Sequence, residues 1–162
     1  MNHLLGKILV SSPTMDDENF KNTILFIVEH NEKGAIGFII NKLFERSLNE
    51  LSEFNSSRSF PLYVGGPVDK EHLFFIHCKN SLIDNGSLIM DNIYFGGNFN
   101  QVIAEINNKN LSTMDIKIFI GYCGWNTNEL EEEIAEGSWI VAESNNEIIF
   151  SKNPELFLSD LL

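Results

Sequence analysis

The run Thr23-Ile24-Leu25-Phe26-Ile27-Val28-Glu29-His30-Asn31-Glu32-Lys33-Gly34-Ala35-Ile36-Gly37-Phe38-Ile39-Ile40 decides how this chain folds. From Thr23 to His30 the apolar centre is continuous, which suits a strand covered on both faces. Asn31-Glu32-Lys33-Gly34 then offers a four-residue turn, and Ala35 to Ile40 is apolar again. The segment reads as a hairpin of two buried strands. Upstream, Gly6 to Ser11 is a short strand stopped by Pro13. Downstream, His72 to Lys79 and Asp115 to Tyr122 read as strands, the second with Ile116, Ile118 and Ile120 on one face. Pro61-Leu62-Tyr63-Val64 leads into Gly65-Gly66-Pro67, a turn with too much backbone freedom for a regular element. Asp84-Asn85-Gly86 has the chemistry of a tight hairpin or bulge, and Ser138 to Ala142 is a further strand, with Ile148 to Phe150 as a candidate strand after it.

Helices are few. Ser47 and Glu50 have capping-box spacing ahead of an apolar face at Leu48, Leu51 and Phe54. Asn98 is the natural cap for a helix carrying Phe99, Val102, Ile103 and Ile106 at helical spacing. Asn126 as cap with Glu129 at the third position, Leu130 and Ile134 as buried stripe and Gly137 as stop give another helix. Asn153 caps a last one through Leu161. Strands in several hairpins with three or four interspersed helices specify an α+β fold, and neither repeat nor linker divides residues 1–162 into more than one domain.

The chain has 162 residues, 11 basic and 23 acidic, for a net charge of −12. A nucleic-acid surface must replace condensed counterions with Lys and Arg, and the only arginines are Arg46 and Arg58, so direct nucleic-acid binding is not expected. Five acids fall between Glu129 and Glu136 and mark an acidic face suited to a basic partner. Apolar stretches such as Leu73-Phe74-Phe75-Ile76 are far below the ~18–20 residues that span a bilayer, and no secretory leader is visible, so a cytoplasmic location without membrane contact is expected. Cys78 and Cys123 then read as reduced thiols.

No reactive constellation is complete. The sequence lacks C-x-x-C, H-E-x-x-H and calcium-loop spacing, and neither metal nor cofactor is expected. Asp16-Asp17-Glu18 could ligate Mg²⁺ but reads better as a solvated turn. Cys123, in a glycine-flanked turn at a strand end, could be a nucleophile, with His30, His72 or His77 as base; a buried packing thiol is the competing explanation. Trp125 and Trp139 flank the acidic helix and either line a groove or close the helix onto the sheet.

Four ordered motifs carry a resemblance: Gly6-Lys7-Ile8-Leu9-Val10 with Pro13, Met15, Asp16 and Phe20; Glu29-His30-Asn31 with Gly34-Ala35-Ile36-Gly37-Phe38 and Asn41; Gly65-Gly66-Pro67-Val68; and Gly121-Tyr122-Cys123-Gly124-Trp125 with Leu130-Glu131, Glu133 and Trp139. From Gly6 to about Val141 the chain resembles the AlgH/YqgE family of small bacterial cytoplasmic proteins. The resemblance implies a compact α+β domain whose strands form a mostly antiparallel, bifurcated sheet or partial barrel with helices packed outside. It implies no established enzymatic activity, and a family name that descends from a proposed role in transcriptional control. The family's usual Gly-Gln before the motif leucine is Asn128-Glu129 here, which adds a charge.

Asp16, His30, Asn41 and Glu131 are the polar residues beside the motif turns. With Gly65, Gly66, Pro67, Tyr122 and Trp125 they make a candidate binding cleft. The reading is a non-enzymatic binding or regulatory protein acting on a protein partner or small ligand there. The alternatives are a hydrolase or transferase using Cys123 or the Asp16/His30 region, and a transcriptional regulator, which the net charge disfavours.

Overall fold

A computed structural model describes residues 3–15, 17–18 and 20–157. β1 (Ile8–Ser11), β2 (Ile24–Asn31) and β3 (Gly34–Ile39) pair antiparallel in sequence, so the expected hairpin is present, with Phe26 opposite Phe38. β4 (Leu62–Val64), β5 (Val68–His77), β6 (Ser87–Met90) and β7 (Ile93–Phe95) follow. Then come α1 (Phe99–Asn107), β8 (Ile116–Asn126), α2 (Glu129–Ala135), β9 (Trp139–Ala142) and α3 (Asn146–Phe150). The sheet runs β6-β7-β5-β8-β3-β2-β1-β9 and is open, with β4 attached to β8 off this path. The fold is α+β.

β8 organises the sheet. On one edge it pairs antiparallel with β5, Phe75 opposite Ile118. On the other edge its first half takes β4 in parallel, Tyr63 opposite Phe119, and its second half takes β3 antiparallel, Ala35 opposite Trp125. The bifurcation implied by the family resemblance is this division of one strand edge between two partners. Alternation along the strands feeds cores on both faces. Ile8, Val10, Phe26, Phe38 and Phe119 face α3, with Phe38 and Phe119 stacked at 4.4 Å, while Leu9, Leu25, Ile27 and Trp125 join Leu130 of α2. A third cluster joins Val102 and Ile106 of α1 to Ile116, Ile118 and Leu62.

Several expectations are corrected. Ser47 to Phe54 is not one helix but two 3₁₀ turns, Leu48–Glu50 and Ser52–Phe54, because Leu51 between them is extended (φ −82°, ψ 134°). The β6–β7 hairpin turns at Asp91-Asn92, downstream of Asp84-Asn85-Gly86. Asn126 is the last residue of β8 rather than a cap: its Nδ2 donates to Glu129 at 2.7 Å, and left-handed Asn128 (φ 66°) starts α2. Ile148 to Phe150 is helical, since Asn145 accepts the Ile148 N–H at 3.0 Å. Asn153 opens a 3₁₀ turn, Pro154–Phe157; the rest of the expected last helix lies outside the described residues. Asn98 caps α1 as expected, accepting from Gln101 N–H at 3.1 Å.

Candidate functional site

The Gly-Gly-Pro and Gly-Tyr-Cys-Gly-Trp segments meet at the fork between β3 and β4. Gly65 N–H donates to Ile120 O, and Gly65 O accepts from Ile39 N–H, both at 2.8 Å. A Cβ on Gly66 would sit 2.2 Å from the Tyr122 carbonyl, and one on Gly121 (φ +73°) 2.5 Å from Gly66 O. These glycines let two backbones touch where the sheet divides. β8 therefore runs straight through Gly121-Tyr122-Cys123-Gly124-Trp125, where the sequence suggests a turn.

Two notches flank this meeting point. One, about 280 Å³, lies between the β2–β3 turn and the end of β8, lined by Glu29, Lys33, Gly34, Tyr122, Gly124 and Trp125. The other, about 110 Å³, is lined by Gly66, Pro67, Lys42 and Lys70. Tyr122 is half-buried, its ring edge-on to Phe74 at 5.4 Å. Trp125 is buried, and its indole N–H donates to Glu133 Oε1 at 3.1 Å, the oxygen that also takes the Trp139 indole N–H at 2.9 Å. Glu133 thus fastens both tryptophans under α2, a role its place in a run of acids conceals.

Of the polar candidates, His30 and Glu131 are brought together, while Asn41 is engaged at the opposite end of β2. Asp16 lies outside the described residues. Asn41 is a backbone clamp: its Oδ1 accepts from Ile24 N–H and its Nδ2 donates to Asn22 O, each at 3.0 Å. His30 is buried, with Nδ1 accepting from Leu4 N–H at 3.4 Å, which leaves Nε2 as the donor to Glu131 at 3.0 Å. Burial works against the Glu131 carboxylate, but the His30 hydrogen bond and the helix backbone hold its pKa below the ordinary value. His77 is similarly engaged, between Gly96 O and Lys79 N–H, and burial lowers its pKa.

Cys123 is buried and its thiol donates to Gly65 O at 3.5 Å. Burial pushes its pKa up to about 12, so the thiolate that nucleophilic chemistry needs is suppressed. Among the described residues no three His, Cys, Asp or Glu side chains gather closely enough to hold a metal ion, and no helix is long and apolar enough to cross a membrane.

Lys117 is the residue that sequence reasoning misses. On β8 it alternates with the Ile116/Ile118/Ile120 row, as a solvent-facing lysine would, yet it is only 2% exposed. Its Nζ donates to Ile40 O at 3.0 Å and Ser151 O at 2.8 Å and lies 4.3 Å from the centre of the Tyr63 ring. Burial lowers its pKa to about 7, with Glu155 acting in the opposite direction. The Tyr63 hydroxyl is raised, by burial first and then by Glu155.

A family model described as AlgH-like matches residues 8–162. The chain belongs to the AlgH-like family. The match continues past Val141, where the sequence motifs end. A UPF0301 protein of Chlorobium phaeobacteroides is 38% identical over 146 residues, 90% of this chain and 78% of that protein. One of Cytophaga hutchinsonii is 36% identical over 158 residues, 97% and 87% of the two chains. The solution structure of the AlgH protein from Pseudomonas aeruginosa superposes with a TM-score of 0.78 at 28% identity, covering 97% of this chain and 86% of that one. A crystal structure of protein DIP2367 from Corynebacterium diphtheriae, at 0.74 and 21% identity over 90% and 78%, shares the fold. The fork glycines of this AlgH-like chain thus sit within an architecture seen in two solved structures.

Proposed function

We propose that this protein acts by non-covalent binding rather than catalysis, at the notch where the β2–β3 turn faces Tyr122, Gly124 and Trp125, and that it holds a protein segment or a small ligand there. The observation that carries the reading is the employment of the reactive groups: Cys123 is given to Gly65 O, and His30 is held between Leu4 and Glu131. What is open to a visitor is the notch, where Tyr122 offers a half-exposed ring and Glu29 and Lys33 offer charge of both signs. A few convergent polar groups over an apolar floor suit recognition.

Native mass spectrometry of the protein purified from its own host tests this. The wild type is expected to carry a species that Tyr122→Ala loses while its circular dichroism is unchanged. A folded Tyr122→Ala variant that keeps every co-purifying species rules the notch out.

A further inference from the structure

A larger groove lies away from the fork. Residues 42–44 run beside β4, with Val64 N–H on Lys42 O and Phe44 N–H on Leu62 O, both 2.8 Å, and this sets Phe44 between two cavities. One, about 720 Å³, has a floor of Phe44, Leu51, Phe54, Leu73, Phe99 and Ile120, all half-buried against the α1 core. The other, about 450 Å³, is walled by Leu43, Pro61, Tyr63 and Phe150. Arg46 lines both, its guanidinium over the Phe44 ring at 5.5 Å, and it forms no ion pair with any described residue. In a chain with 23 acids to 11 basic residues, a planar donor fork left uncommitted over an apolar floor is matched to an incoming carboxylate.

We infer that this groove binds a small monocarboxylate with an apolar body: Arg46 takes the carboxylate and the Phe44, Phe54 and Phe99 side receives the body. Both volumes lie in the range of small-molecule sites. The rim restricts the charge. Lys70 and Lys152 stand at the two cavities, but so do Glu53 and Glu71 in one and Glu45 and Glu50 in the other. Such a rim admits a single negative charge near Arg46 and repels a dianionic phosphate.

Titration of ¹⁵N-labelled protein with 4-phenylbutanoate, 4-phenylbutan-1-ol and 4-phenylbutyl phosphate, followed by amide shifts, decides it. The carboxylate is expected to give saturable shifts at Phe44, Leu51, Phe54, Leu73 and Phe99, with the alcohol and the phosphate each about tenfold weaker. Arg46→Gln, at an exposed position, should weaken the carboxylate about tenfold and leave the alcohol unchanged. The proposal fails if the carboxylate gives no saturable shifts, if acid and alcohol bind equally, if the phosphate binds as well, or if the shifts gather at Tyr122 and Gly124 instead.

Discussion

Lys117 shows how far a single residue can depart from its pattern. A lysine alternating with isoleucines along a strand reads as the wet side, but β8 is covered on both faces, and the ammonium is satisfied by two carbonyls at the ends of other elements. The folded state holds the proton with a pKa of about 7 and the unfolded chain with an ordinary one of 10.5. Between these values the unfolded state binds more protons, so stability rises with pH; the charging penalty is present in full below the lower value and gone above the higher. The stability of the wild type minus that of Lys117→Met should therefore climb by about 1.4 kcal/mol per pH unit from about pH 7.5 to 9.5. Urea titrations across that range measure it. A flat difference would show that the amine titrates normally. Two other polar residues teach the same lesson at smaller cost: Asn41 reads as a candidate ligand and Glu133 as part of an acidic face, and their partners are the protein's own backbone and indoles.

At the scale of the element, the hairpin of β2 and β3 was legible because its pattern is local and its turn chemistry explicit. The course of β8 was not. Gly121 at φ +73° and Gly124 look like punctuation, and the arrival of Gly65 and Gly66 beside the strand explains why it holds a glycine at Gly121. The 3₁₀ turns and α3 were missed for a related reason, since Leu51 and Ile148–Phe150 take their conformations from caps and burial rather than from period. Glycine substitutions separate the two kinds of position. Gly66→Ala would force a methyl to 2.2 Å from the Tyr122 backbone, and Gly96→Ala, at a left-handed position (φ +72°), meets nothing within 4 Å. The first should cost more than about 3 kcal/mol or prevent folding, and the second only about 1–2 kcal/mol of backbone strain. Thermal denaturation of the pair reads this out; equal losses would mean that the fork can open.

For the whole molecule the net charge of −12 is a standing cost, because like charges are brought closer on folding. α2 concentrates it, with Glu129, Glu131 and Glu132 in its first turn and no basic residue in its last. Screening should relieve the repulsion, so the melting temperature is expected to rise by about 2–4 °C between roughly 20 mM and 300 mM NaCl. Differential scanning calorimetry tests this, and a fall with salt would mean that attractive pairs such as His30–Glu131 outweigh the repulsion.

The divided edge of β8 also sets a timetable for the chain. Its partners begin at Gly34, Leu62 and Val68, yet the strand that joins them spans Ile116–Asn126. During synthesis the first two-thirds of the sequence can close the local β1–β2–β3 and β5–β7–β6 ribbons, but β3, β4 and β5 must wait, the edges that β8 will take unpaired, until residue 126 clears the ribosome. Such late, non-local closure predicts slow folding and a nascent chain that depends on protection while it waits.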